Sequence, residues 1–402
     1  MQFDHVFIPY GVYWSTPFTR WQGNFAHLHP ILFAANVVKR ALRERDITPE
    51  AFDALFLGMT VPSEHGFYGA PWLAGLIGAA NISGPTINQA CATSARVVGS
   101  AAFEVETDKD RCILAITCDR TSNGPHLYYP NPLGPGGKGE SEDWVWDNFN
   151  FDPFAANAMI ETAENVAGEA NISWEEQNAV TLMRYQQYQE ALKEDAAFHR
   201  RYMVIPIDVK DPSGRRVMAT VVDDEGIYAT TAEGLARLRP VKEGGAVSYG
   251  TQTHPADGNC GLAITSRTRA QELSRDKAIE VQIVAFGQAR ARKGFMAQAT
   301  VPAARQALSS AGISLADVKS IKTHNPFAVN DIYFAREMSI ALEAFNNYGS
   351  SLIFGHPQGP TGMRLIIELI EELFLLGGGY GLFTGCAAGD TGAAIVVRVD
   401  AG

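Results

Sequence analysis

Four residues stand where the chain turns small and glycine-rich, and their types could do chemistry. Cys91 lies in "GPTINQACATSARVVGSAA" (residues 84–102), between an extended run at 85–88 and a helix opened by Ala92, Thr93, Ser94 and Ala95, residues too small to cover it. A thiol at the start of a helix feels its positive end, which lowers the pKa and raises the thiolate fraction, so Cys91 reads as a nucleophile. The competing reading is a buried small hydrophobe, the ordinary fate of a free thiol. His356 stands in "IFGHPQGPTGMRLIIELIEEL", again just before a helix. It could take the thiol proton and hold the thiolate as an ion pair, or simply cap a turn. Cys386, in "GLFTGCAAGDTGAAIVV", follows an apolar strand and precedes Ala and Gly residues whose N–H groups could form an oxyanion hole. The same composition also suits a tight hairpin between core strands. His324, in "SIKTHNPFAVND", ends a strand, at the edge where open α/β sheets bind ligands.

The elements that must position these groups come in two related sets. "VVKRALRERDITPEAFDALFLG" from Val37 superimposes on "AARQALSSAGISLADVKSIKTH" from Ala303 at one constant offset, bringing Ala41, Leu42 and Ile47 onto Ala307, Leu308 and Ile313. Both copies read as an amphipathic helix, a turn and a strand. Near the end of each half "CILAITCDR" resembles "YGLFTGCAAGD", placing Cys118 opposite Cys386. Between the halves the rhythm fails. From Thr121 to about Ser248 runs a Gly/Pro-rich aromatic segment and then helical text, in which Ser173 and Glu176 have capping-box spacing and start a helix through "QNAVTLMRYQQYQEAL". A region this long with its own helices is an insertion rather than a loop.

Composition closes off other classes. With 46% hydrophobic and 19% charged residues the chain can bury large cores. A net charge of −11 argues against a nucleic-acid footprint. No apolar run reaches the ~20 residues that span a bilayer, and the start lacks the pattern of a signal peptide. Five cysteines without CxxC spacing fit neither a disulfide framework nor a structural zinc site, so a reducing cytoplasm, no membrane and no metal are expected.

These blocks, in this order, resemble the thiolase family from about Val37 to the C-terminus. "NQACATSARVV" is similar to its nucleophile block, "TAENVAGEANISWEEQNAV" to its insertion helix, and "TTAEGLARLRPV" to the segment before the return to the core. "ADGNCGLAIT", "GHPQGPTG" and "CAAGDTGAAIVV" match the return strand, the His block and the final Cys–Gly block. The resemblance implies an α/β fold of two duplicated βαβαβαββ halves forming a five-layered αβαβα core. The expected boundaries are an N-terminal half at 1–120, an inserted substrate-binding domain at 121–248, a return strand at 249–270 and a C-terminal half at 271–402. It also implies roles: Cys91 the acylated nucleophile, His356 its base, and Cys386 the acid/base at the substrate's α-carbon. One oxyanion hole would come from His356 with His324, another from the main-chain N–H groups of Cys91 and Ala388. Met159, His254 and Phe327 would touch substrate or coenzyme A, the co-substrate of an enzyme with no permanently bound cofactor.

The departures sharpen the expectation. His324 replaces the Asn that opens the usual Asn-Glu-Ala-Phe block, which looks like the sterol-carrier-protein type and its archaeal relatives. Ala388 and Asp390 replace glycines, and the Asp390 carboxylate is expected near the pocket. Ala158 precedes Met159 where many members have His. Tyr128, Tyr129, Trp144, Trp146, Phe149, Phe151 and Phe154 crowd the insertion, and "YGVYWSTPFTRW" could add further walls, or both could pack an interface. The aromatic load is similar to thiolases that pair with a small zinc-ribbon and OB-fold subunit, one group of which cleaves 2-benzoylsuccinyl-CoA. A homodimer or higher oligomer is implied likewise. Two rivals stand beside this reading. A condensing acyltransferase (hydroxymethylglutaryl-CoA synthase or ketoacyl synthase type) would lack the second reactive cysteine, and a non-catalytic scaffold would lack the nucleophile.

Overall fold

The computed structural model describes residues 1–402. Two sheets of the same plan form its core. In the first, Tyr13–Ser15 and Cys112–Arg120 flank Ala256–Thr265 antiparallel, and Ala54–Gly58 and Thr86–Ile87 continue parallel. In the second, Glu280–Arg290, Thr391–Asp400 and Gly379–Ala387 run antiparallel, and Val318–His324 adds parallel to the last. The extended run before Cys91 is shorter than its sequence pattern, only Thr86 and Ile87 pairing as strand.

Period-2 alternation sorts the strand residues into layers. Leu55 and Leu57, with Leu114 and Ile116, face an outer cluster containing the helices Pro30–Arg43 and Gly69–Ile77. Ala54, Phe56, Ile113 and Ala115 face inward, onto the helices Thr93–Thr107 and Gly359–Leu375. Those two helices also receive Phe383, Ile395 and Val397 of the second sheet, whose outer face (Leu382, Ala394, Val396) packs on Thr300–Ala311 and Ala328–Met338. The result is helix, sheet, helix pair, sheet, helix. A central helix enclosed on all sides must be apolar or internally paired. Gly359–Leu375 is buried from its first residue to Leu373, and its Arg364, Glu368, Glu371 and Glu372 are all ion-paired or hydrogen-bonded.

The insertion carries Met159–Glu169 and Trp174–Ala191, the latter capped by Ser173 and Glu176. It is tied to the core by buried charges. Arg184 Nε donates to Asp331 at 2.8 Å, and Arg364 donates through both Nη atoms to Asp224 at 2.7 and 2.8 Å. No helix is long and apolar enough to cross a membrane.

Candidate active site

The site forms where the two halves meet. Cys91 follows Ala90, a non-glycine residue at φ 44°, and precedes the helix that starts at Thr93. Thr93 Oγ1 pins this sharp turn, accepting from the Gln89 N–H at 2.8 Å and donating to the Ala90 carbonyl at 2.7 Å. Gln358 (φ 60°) and Asp390 (φ 59°) are two more left-handed non-glycine residues beside the site, and such strain persists only where surrounding contacts enforce it.

His324 is the last residue of its strand, with Nδ1 2.8 Å from Ser351 Oγ. Gly385 lies next to it in register, and a Cβ there would stand 2.9 Å from His324 Cβ. His356 is held by its N–H to the His254 carbonyl (2.9 Å) and by Nδ1 to Thr361 Oγ1 (2.6 Å). The two imidazoles lie 4.1 Å apart between centroids, and the Cys91 sulfur and one ring nitrogen of each fall within 4.8 Å of one another. Both Nε2 atoms lack a partner, whereas the Cys91 thiol donates to Gln358 Oε1 at 3.3 Å. Cysteine and two histidines are also zinc-ligand types, so the same three donors could hold a soft cation. The Cys386 sulfur accepts from Asn330 Nδ2 at 3.2 Å, and it is close enough to Cys91 that a charge there raises its own pKa. The amides of Ala388 and Cys91 itself both act on the Cys91 sulfur.

Burial dominates the electrostatics. It pushes the Cys91 thiol up to about 11, with the charge of Asp119 adding to it, against the two amides that favour thiolate. Burial lowers His324 to about 3, and lowers His356 well below its ordinary value with help from His324. Cys386 is likewise raised by burial. The resting site therefore holds neutral thiols and neutral imidazoles. The expectation that a helix N-terminus would depress the Cys91 pKa is corrected: the half-buried sulfur sees only the cavity, and desolvation outweighs the helix end.

A cavity of about 1090 Å³ opens on Cys91, above the ~300–1,000 Å³ of most small-molecule sites. Cys91, His356, Ala388, Met159, His254 and Phe327 line it, whereas His324 and Cys386 are fully buried just beneath its wall. Of the aromatics singled out in the insertion, Trp144, Trp146, Phe149, Phe151 and Phe154 line it. Tyr128 and Tyr129 do not, because they sit on an exposed hairpin, His126–Tyr129 against Glu140–Asp143. The early aromatic segment adds no wall: Tyr13, Trp14 and Phe18 are buried in the core. The Asp390 carboxylate accepts from the Gly294 N–H at 2.8 Å, tying down the loop after Glu280–Arg290, and lies close enough to Asp152 and Arg290 of the cavity wall to feel their charges.

Sequence reasoning missed the residues that act through others. Asp119 accepts from the Thr60 and Val61 amides and from the Gly359 N–H, fixing the turn after His356. Ser351, Thr361 and Asn330 orient His324, His356 and Cys386, and Gln358 touches the nucleophile. Each is a lone polar residue without a repeat, so only its position inside or just beside the quoted blocks could have drawn attention to it.

Comparison with known proteins agrees with the fold. The family model "Thiolase, N-terminal domain" matches residues 14–268 and "Thiolase, C-terminal domain" matches 276–399. The chain belongs to the thiolase family. It is accordingly an acyl-CoA acyltransferase. Its relatives include the mitochondrial 3-ketoacyl-CoA thiolase of Homo sapiens, 27% identical over 95% of this chain and 96% of that protein. Others are the acetyl-CoA acetyltransferase of Paracoccus denitrificans (29%, covering 95% and 97%) and the β-ketoadipyl-CoA thiolase of Pseudomonas knackmussii (28%, covering 95% and 96%). Among solved structures, the Bacillus anthracis acetyl-CoA acetyltransferase superimposes with a TM-score of 0.90 at 26% identity over 99% of both chains. The human mitochondrial 3-ketoacyl-CoA thiolase in complex with CoA gives 0.87 at 26% identity over 98% of both.

Proposed function

We propose that the chain is a degradative thiolase that cleaves a β-ketoacyl-CoA with coenzyme A and takes a bulky or aromatic acyl group. The observation that carries this is the convergence of Cys91, His324, His356 and Cys386 beneath one aromatic-walled cavity. Two reactive sulfurs in one site favour it over a condensing acyltransferase of the same superfamily, and an intact nucleophile favours it over a scaffold.

The hydrogen bonds dictate the proton traffic. His356 donates from Nδ1 to Thr361 Oγ1, which leaves its Nε2 lone pair to take the Cys91 proton as the sulfur attacks the β-keto carbon. The amides of Cys91 and Ala388 receive the developing oxyanion. As the carbon–carbon bond breaks, the leaving acyl-CoA departs as an enolate. With its ring proton on Nε2, His324 joins protonated His356 in carrying the enolate charge, while its Nδ1 stays against Ser351 Oγ. Losing one such donor typically costs ~3 kcal/mol of transition-state stabilisation. Cys386 gives its proton to the α-carbon, then recovers one from the incoming coenzyme A thiol. That thiolate attacks the Cys91 thioester, and the released Cys91 sulfur regains its proton from His356.

2-Benzoylsuccinyl-CoA is the candidate that the aromatic walls suit, with Met159, His254 and Phe327 contacting acyl group or coenzyme. Exposed Phe67, Tyr68 and Leu133 offer apolar surface to a second copy or to a zinc-ribbon partner subunit. Five unpaired cysteines suit a reducing cytoplasm. Purified protein is tested with coenzyme A and either 2-benzoylsuccinyl-CoA or acetoacetyl-CoA. Turnover of the short linear substrate alone removes the bulky-acyl assignment, and failure to trap an acylated Cys91 peptide removes the nucleophile assignment.

A further inference from the structure

Resting on the thiolase reading above, we propose that Arg290 is an anion-binding subsite for the acyl portion of the substrate, so that the preferred substrates are β-ketoacyl-CoA thioesters bearing a free carboxylate. Arg290 is the only lysine or arginine lining the cavity. It ends the strand Glu280–Arg290, opposite Thr391, and its Nε donates to the Gly389 carbonyl at 3.1 Å. The guanidinium centre lies 4.8 Å from the Phe154 ring centroid. Backbone hydrogen bond and aromatic face together fix the fork, and neither uses the two Nη groups.

Its neighbours in the basic run are otherwise engaged. Arg292 pairs with Glu169, and Lys293 lies near the same Phe154 ring (5.7 Å) but off the cavity wall. No carboxylate pairs with Arg290. Asp152, the one carboxylate in the lining, accepts the Phe154 and Ala155 amides at 2.7 and 2.9 Å, which holds the ring that Arg290 stacks on. Asp390 accepts from the Gly294 N–H and makes no ion pair with Arg290, although the guanidinium is near enough to favour its carboxylate form. Arg290 is exposed at the cavity wall, without an ion-pair partner and with both Nη groups free, which is the chemistry of bidentate carboxylate recognition.

Position selects the source of the anion. Gly389 directly follows Ala388, whose amide acts on the Cys91 sulfur, so Arg290 is anchored one residue from where the acyl carbonyl must sit. The phosphates of coenzyme A lie at the far end of the pantetheine arm. The acyl carboxylate is the anion within reach.

The test compares 3-oxoadipyl-CoA with its neutral counterpart 3-oxohexanoyl-CoA, and the same two acyl groups on pantetheine, using wild type, Arg290→Gln and Arg290→Lys. We expect wild type to prefer the acid, and Arg290→Gln to raise KM for the acid roughly tenfold or more, with kcat and the neutral substrate little changed. The loss should persist on pantetheine thioesters, and Arg290→Lys should recover part of it. Equal loss on acid and neutral substrates would make Arg290 a strap between Phe154 and Gly389 and overturn the subsite. Disappearance of the loss on pantetheine thioesters would assign Arg290 to the coenzyme phosphates and overturn it equally. Turnover of the neutral substrate in preference to the acid also overturns it while leaving the thiolase reading intact. No turnover of any of the four, nor of 2-benzoylsuccinyl-CoA, overturns the thiolase reading itself, whereas turnover of 2-benzoylsuccinyl-CoA alone overturns the subsite for linear acids and leaves that reading intact.

Discussion

The Cys91 thiol donates to Gln358 Oε1 at 3.3 Å, while the Nε2 atoms of both imidazoles beside it have no partner. The nucleophile thus rests as a neutral thiol with its proton parked on an amide oxygen. Gln358 holds that oxygen in place through a strained backbone (φ 60°, ψ −101°) and through Gly359, whose N–H is locked onto Asp119 at 2.8 Å.

Thiolate formation should therefore come late. Because the folded pKa of Cys91 is raised, the neutral thiol favours the folded state, and that contribution is complete below the ordinary thiol value and lost as pH rises through about 11. The ultraviolet thiolate band, wild type minus Cys91→Ser, is expected to titrate with a midpoint near there. Gln358→Leu removes an acceptor that favours S–H and should lower the midpoint. A thiolate band already full at neutral pH would contradict the resting state described here.

The acid limb of kcat/KM should fall below the ordinary histidine range, since burial and His324 hold the His356 base neutral. A limb at or above the free imidazole value would show that His356 is solvated or paired in the working enzyme.

The two cysteines should fail differently. Cys91→Ser should lose acylation by acyl-CoA. Cys386→Ser should still acylate Cys91 yet lose proton exchange at the α-carbon, with cleavage down by ~10²–10⁴. Loss of acylation in both variants would mean that Cys386 only supports the fold of the nucleophile.

Gly385→Ala should injure catalysis more than stability. The added Cβ would meet His324 Cβ at 2.9 Å, so the imidazole must move. Misplacement by about 1 Å can cost ~10² in rate. Unchanged kcat with a lowered melting temperature would argue that His324 is not a catalytic donor.

Arg364→Met should destabilise by ~3–5 kcal/mol in denaturant unfolding, because it leaves Asp224 and Glu368 buried without their partner. Adding Asp224→Leu should recover part of the loss. No recovery would mean that the insertion does not depend on this pair for docking.

Much of the architecture was legible along the chain. The duplicated text around Val37 and Ala303 predicts Pro30–Arg43 with Ala54–Gly58 and Thr300–Ala311 with Val318–His324, because apolar spacing within one element is a local property. The four candidate residues that the structure brings together were visible too, each lying in a small-residue block at an element's end. The capture of Asp390 by the Gly294 amide was not legible, because a residue type does not say which way a side chain turns and that amide belongs to another strand's loop. For Tyr128 and Tyr129 the choice between cavity wall and interface was not legible, because aromatic content does not say whether a hairpin folds over the cavity or away from it.

By itself the amino-acid order pointed to two matching halves with a region between them that breaks their rhythm, and to the thiols and imidazoles as candidates. Only the tertiary structure decided that those groups are neutral at rest, that the Cys91 thiol donates to Gln358 rather than to a histidine, and that Arg290 is the sole lysine or arginine in the cavity wall. Periodicity and turn chemistry are written between near neighbours in the chain. Desolvation, hydrogen-bond choice and the charge of a pocket are sums over residues hundreds of positions apart, and they acquire a value only when the fold brings those residues together.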